Sequence, residues 1–165
     1  WASGQLATFE EHLYTESLTV VMRSAIFAMP QAAASNLGAP RIMLTTLPQE
    51  RHGLGLLMAE AMCVAEGAHC ISLGVQTPVW DIVRAATALD VEVVALSYTG
   101  CTNPNNVIDG LVELRSKLPP SIELWAGGSA PVLQRRAIDG LRVIPALQQV
   151  AAALADWHQR HPDAV

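Results

Sequence analysis

Glu50 and His52, in the run Glu50-Arg51-His52-Gly53-Leu54-Gly55, are the residues of this chain whose types and spacing point most directly to chemistry. A neutral imidazole binds a metal through one ring nitrogen while a nearby carboxylate takes the N–H of the other and fixes the tautomer. An E-x-H pair where the chain leaves a strand-like run supplies both parts. The turn lacks the Lys and Ser/Thr that a phosphate loop needs, which excludes a nucleotide cradle of that kind. From these residues alone, a solvated loop whose His and Glu share no task is the alternative.

Hydrophobic periodicity places the turn. Strands are expected at Arg41–Thr46, Cys70–Gly74, Glu92–Tyr98, Ile122–Ala126 and Leu141–Ile144. They alternate with helices at Leu54–Glu66, Pro78–Leu89, about Pro104 to Lys117, Val132–Ile138 and Ala146–His158. This βα alternation predicts an α/β fold, a flavodoxin-like (Rossmann-type) parallel sheet of five strands in the order 2-1-3-4-5. In such sheets ligands sit at the carboxyl ends of the strands, where strand order reverses. The loops at that edge are Thr46–Gly55, Ser97–Asn105 and Ala126–Pro131, and the first contains Glu50 and His52. Ahead of the sheet, Leu6, Phe9, Leu13, Leu18, Val21, Met22, Ala25, Ile26 and Met29 recur at helical spacing, a helix with an apolar stripe that Gly4 would break from Trp1. The organisation predicted is a partial helical cap at 1–30, a linker at 31–40 and the sheet domain at 41–165.

Bulk composition narrows the function. The 165 residues are 51% hydrophobic and 15% charged, as expected of a well-buried globular chain. A net charge of −5, with no basic cluster larger than Arg135-Arg136, makes the chain itself a poor nucleic-acid binder. Cys63, Cys70 and Cys101 lack C-x-x-C spacing, which argues against a metal cluster or disulfide framework and for a reducing cytoplasm. No signal peptide or membrane span is evident. The start at Trp1 instead of Met suggests a fragment or a processed product.

Together these features resemble the cobalamin-binding domain of methionine synthase, of mutases and of the CarH/LitR type of light-sensing transcriptional regulators. The family pattern is D-x-H-x-x-G, then S-x-L, then a long spacer, then G-G or G-x-G. Here Glu50-x-His52-x-x-Gly55 matches with Glu for Asp, and Ser97-Tyr98-Thr99 matches with Thr99 for Leu. Twenty-seven residues then lead to Gly127-Gly128. The resemblance implies that His52 is the lower axial ligand of cobalt, displacing the cofactor's own dimethylbenzimidazole, with Glu50 on the other imidazole nitrogen. It places the displaced nucleotide tail in a slot beside Gly55, Ser97, Thr99, Gly127 and Gly128, whose mostly small side chains let a bulky group approach the backbone. Valine at Gly127 or Gly128 is expected to block that slot with the sheet still folded. Taken singly, Gly127-Gly128 reads equally as a strand-to-helix turn and Ser97 as a satisfied polar group.

Light-sensing members also carry Trp, nine residues, then Glu-His in a helical bundle above the corrin, and here Trp1 is followed by nine residues and Glu11-His12. In one unbroken helix Trp1 and His12 would stand roughly 16 Å apart, so a break near Gly4 is required for both to meet one small group. The resemblance places Trp1, Glu11 and His12 around the upper ligand; a core aromatic and a solvated face are the alternative. Some members place His directly after the Trp, where this chain has Ala2.

The function implied is a photosensory domain holding adenosylcobalamin base-off and His-on. It is not expected to be an enzyme. It would self-associate in a light-dependent way, touch no membrane and reach DNA only through a domain absent from this chain. A corrinoid-carrying module of a methyltransferase or mutase is the alternative, and a flavodoxin-like binding domain without cobalamin is a third. His69, His158 and His161 read as surface residues, Trp80 and Trp125 as packing, and Trp157 as a tail anchor.

Overall fold

Alternating apolar residues on β1 and β3 put side chains on both faces of a sheet, which then needs helices on both sides. The computed structural model, which describes residues 7–29 and 38–162, has that form. Strands β1 (Arg41–Thr45), β2 (His69–Gly74), β3 (Val93–Tyr98), β4 (Glu123–Gly128) and β5 (Leu141–Ile144) pair in parallel in the order β2-β1-β3-β4-β5. Helices α1 (Thr8–Ala28), α2 (Leu54–Ala65), α3 (Val79–Ala88), α4 (Pro104–Lys117), α5 (Val132–Arg135) and α6 (Val150–Arg160) surround it. The expected order and every expected strand are present. Trp1, the break at Gly4 and residues 31–37 of the expected linker lie outside the described residues. Among the described residues no helix is long and apolar enough to cross a membrane.

One sheet face buries Met43, Val94, Leu96 and Leu124 against Ile82 of α3 and Val107 and Leu111 of α4. The other buries Ile42, Leu44, Val93 and Trp125 against Leu56 of α2 and Ala153, Leu154 and Trp157 of α6. Helix α1 docks on the outer side of α2 through Met22, Ile26 and Met29, which meet Leu57, Ala61 and Val64.

Several elements differ from expectation. β4 continues through Gly128 because Ser97 and Tyr98 pair with Gly127 and Gly128, extending the ladder to the edge of the site. α5 is a single turn, since the chain leaves helical geometry at Arg136 to reach β5 five residues later. The last helix begins with a 3-10 turn at Leu147–Gln149 and runs on to Arg160. Among the described residues of the apolar stripe only Ile26 is buried; Phe9, Leu13 and Val21 are exposed. Trp80 is exposed, not packed, with Lys117 Nζ 5.1 Å from its ring centroid. It lies two residues, about 200° around the helix, from the buried Ile82. His69 opens β2 with a buried, unpartnered Nδ1, because its backbone N–H donates to Pro40 O and carries it into the ladder. Trp157 is buried, with His161 stacked on it at 4.4 Å and His158 edge-on at 5.5 Å, so neither histidine is a free surface group.

Gly127 and Gly128 are required by the sheet itself. A Cβ on Gly127 would stand 2.8 Å from Ile144 O, and one on Gly128, at φ +107°, would stand 2.0 Å from Tyr98 O. Both obstacles are backbone, so Val at either position disturbs the fold as well as any slot, against the expectation above. Gly67 also has positive φ, but nothing lies within 4 Å of its would-be Cβ. Urea unfolding should therefore rank the alanine variants: Gly67→Ala loses about 1 kcal/mol, Gly127→Ala roughly 1–3 kcal/mol, and Gly128→Ala more than either. Equal midpoints for Gly67→Ala and Gly128→Ala would contradict the placement of Gly128 under Tyr98 O.

Candidate cofactor site

The loop leaving β1 turns back at Leu47, whose O accepts from Glu50 N at 2.9 Å, and this directs the Glu50 side chain inward. The carboxylate is 1% exposed and saturated. Its Oε1 accepts from His52 N at 2.9 Å and from His52 Nδ1 at 2.6 Å. Its Oε2 accepts from Thr99 N at 2.7 Å, Thr99 Oγ1 at 2.8 Å and Thr102 Oγ1 at 2.5 Å. One carboxylate thus ties the loop after β1 to the loop after β3.

Burial by itself pushes the Glu50 carboxyl up. The Thr102 hydroxyl, the N–H groups of Thr99 and His52 and the Thr99 hydroxyl outweigh it, and hold the pKa at about 2 against an ordinary 4.5. An ionised carboxylate only accepts hydrogen bonds, so the proton of a neutral His52 sits on Nδ1 and its lone pair on Nε2. The His52 side chain is 49% exposed, which leaves Nε2 open to a ligand. Among the described residues there is no group of three or more His, Cys, Asp or Glu able to hold a metal.

Beside this couple a cavity of about 290 Å³ opens between the sheet and helices α2 and α6, near the lower end of ligand-pocket sizes, roughly 300–1,000 Å³. Gly55, Ser97, Thr99, Gly127 and Gly128 all line it, so five expected site residues share one cavity. A Cβ on Gly55 would come within 3.2 Å of Ser97 Oγ, a gap that keeps the entrance open. The Thr99 hydroxyl is committed to Glu50, which makes it a support of the couple as much as a wall of the slot.

Thr102 was not singled out by sequence reasoning. The signal available was a hydroxyl within the Ser97–Asn105 loop, but nothing in sequence tells which hydroxyl turns toward Glu50. Ala59, Ala95, Cys63 and Trp125, further lining residues, were also not singled out as site residues. They read as core because the slot is a gap in the core.

Of the expected upper-face residues, Glu11 and His12 do not line the cavity. Trp1 lies outside the described residues. Glu11 accepts from Thr15 Oγ1 at 3.0 Å, and His12, its side chain 72% exposed, lies 3.6 Å from Glu11. Both are on the N-terminal half of α1, whereas its core contacts come from Met22, Ile26 and Met29.

The sequence profile of the B12 binding domain matches residues 40–155. The chain is 33% identical over 131 residues to the HTH-type transcriptional repressor CarH of Myxococcus xanthus, covering 79% of this chain and 42% of that protein. In structure it resembles the monomethylamine corrinoid protein of Methanosarcina barkeri, with TM-score 0.67 and 17% identity over 94% of this chain and 74% of the other. It also resembles a cobalamin-binding protein from Desulfitobacterium hafniense DCB-2, with TM-score 0.52 and 20% identity over 78% of this chain and 60% of the other. At these identities the two structural likenesses establish the fold.

The Glu50 shift has a consequence for stability. Because the folded-state pKa lies below the unfolded one, the contribution of the carboxylate is complete above about pH 5 and is lost as pH falls toward 2. The shift corresponds to about 3 kcal/mol. Glu50→Gln removes this titration, so the wild-type urea midpoint should fall more steeply than the variant's between about pH 5 and pH 2.5. Parallel curves would show that Glu50 is not held as described.

Proposed function

This chain belongs to the B12-binding domain family, and we propose that it holds a cobalamin base-off and His-on, as the sensory part of a light-dependent transcriptional repressor. The observation that carries the binding mode is the Glu50–His52 couple at 2.6 Å, with Nε2 open, on the same sheet edge as an apolar slot. His52 would be the residue that holds cobalt, through Nε2. Glu50 would keep the proton on Nδ1 and so keep the lone pair directed outward. Gly55, Ser97, Thr99, Gly127 and Gly128 would hold the nucleotide tail away from the metal.

The repressor assignment is supported by the 33% identity to CarH and by the Trp1…Glu11-His12 spacing. The chain spans 42% of that relative's length, so DNA contact is assigned to a part outside this sequence. Adenosylcobalamin, when bound, supplies a cobalt–carbon bond that visible light breaks. Trp1, Glu11 and His12 would surround the upper ligand and report its loss. Ala2 offers no ring nitrogen, so any second imidazole for cobalt would need another donor, such as His12. Exposed Phe9, Leu13, Tyr14 and Phe27 on α1 support self-association, which would change with light, and a regulator acting on DNA would work in the cytoplasm. No catalytic turnover is assigned.

Purified full chain mixed with adenosylcobalamin in the dark should show a base-off, His-on absorption spectrum. Glu50→Gln should weaken retention by roughly 10–100-fold, and His52→Ala by more, with loss of the His-on spectrum. An unchanged spectrum and affinity in His52→Ala would overturn the ligand assignment. Green light should change the molecular mass by gel filtration. Tight binding with no change of mass would favour a corrinoid carrier of the methyltransferase or mutase kind.

A further inference from the structure

The cavity beside His52 changes character with depth. Ser97 and Gly127 are register partners at the carboxyl ends of β3 and β4, and Ala95 and Trp125 are the partners two residues earlier. Two strand residues descend about 6.6 Å on one face, so Ala95 and Trp125 form the floor beneath Ser97 and Gly127. On α2, Ala59 and Cys63 follow Gly55 by four and eight residues, along one stripe reaching about 12 Å from the entrance. Polar side chains line the upper part, at Ser97, Thr99 and Ser129.

The lower part offers no strong polar partner. Trp125 Nε1 already donates to Glu123 Oε2 at 2.8 Å. Cys63 is a free, buried cysteine whose thiol is only a weak donor and acceptor. Leu44, Ala59 and Ala95 contribute only carbon, and the strand backbones between them are engaged in the parallel ladder.

From this gradient we infer that the slot selects corrinoids by their lower base, accepting an alkylated benzimidazole and discriminating against adenine and other purines. The inference rests on the proposal that the slot receives the nucleotide tail. The sugar and phosphate would lie among the hydroxyls near the entrance, and the base, at the end of the tail, would reach the floor. A dimethylbenzimidazole presents ring faces and two methyl groups, which gain from contact with Trp125 and the alanines. Adenine brings ring nitrogens and an exocyclic amine that lose water without replacement there. An apolar pocket rejects added polar groups by roughly 10–100-fold. Ala59 and Ala95 thereby become specificity-determining positions.

One effect opposes this in a binding assay. Benzimidazole coordinates cobalt more firmly in the free corrinoid than adenine does, so it must first be released. That equilibrium belongs to the free corrinoid, and acid titration without protein measures it. It also cancels when wild type and variant are compared with the same two corrinoids.

The experiment measures dissociation constants of the full chain, by absorption titration in the dark, for three probes. These are cobalamin with dimethylbenzimidazole, its adenine counterpart, and cobinamide, which lacks the nucleotide. After correction for the free-corrinoid equilibrium, wild type should favour the benzimidazole form by at least about tenfold. Ala59→Asn, whose amide can pair with the adenine edge, should shift the ratio about tenfold toward adenine. Ala95→Ser, a smaller change, should shift it in the same direction. Equal corrected affinities in wild type, with both forms binding more tightly than cobinamide, would overturn the inference while leaving the proposed binding mode intact. Cobinamide binding as tightly as either would remove the tail from the slot. Failure of every probe to give a His-on spectrum would instead overturn the proposed function. Because the wild-type ratio decides by itself, a variant that fails to fold leaves the inference open to refutation.

Discussion

A carboxylate withdrawn from water must replace its hydration, and the loops around this site are arranged by that requirement. Glu50 does so with five donors, two from His52, two from Thr99 and one from Thr102. Charge-assisted hydrogen bonds of this kind are stronger than neutral ones, and a missing donor would expose the full desolvation cost. The loops after β1 and β3 are thus held together across the point where the sheet order reverses. The same contacts fix the His52 tautomer, which leaves a single nitrogen available. The Tyr98 phenol, buried and close enough to feel the Glu50 charge, is pushed up in pKa and stays un-ionised within the core beneath.

Neighbouring contacts lock the couple from the β2 side. Thr46 Oγ1 donates to Glu50 O at 2.5 Å and accepts from Gln76 N at 2.9 Å, while Gln76 Nε2 donates to Pro48 O at 2.8 Å. Gln76 adopts φ 60°, a conformation uncommon for a residue with a side chain, and these bonds hold it there. Asp, the residue the family pattern has at position 50, is one methylene shorter. The longer Glu spans the distance from His52 to Thr99 and Thr102 in this chain, so the departure from the pattern is absorbed by the reach of the side chain.

The slot depends on a different constraint, the close approach of strand backbones at Gly127 and Gly128. These glycines permit β4 to pair with β3 to its last residue and to lie against Ile144 O. Removing side chains from that edge leaves room above the sheet, and the small Ala59 and Ala95 continue the room inward. Fold and cavity therefore draw on the same residues. Helix α1 packs on the outside of α2 through three apolar residues, and its N-terminal half carries half-buried Glu11 and exposed His12.

Much of this was legible in the sequence, because periodicity is a local property. Runs alternating between strand and helix patterns predict a parallel sheet, and the order of such sheets places Glu50 and His52 at the ligand edge. The spacing of Glu50-x-His52-x-x-Gly55, Ser97 and Gly127-Gly128 marks the family for the same reason. The rest was decided by contacts between residues distant in the chain. That Thr102 completes the Glu50 shell, that Gly128 sits under Tyr98 O, and that the core residues Trp125 and Cys63 also wall a cavity all depend on the register of β3 with β4 and the seating of α2 and α6. Sequence records which residues are small, apolar or polar; only packed neighbours determine whether a small residue leaves a void, a tight contact or an open wall.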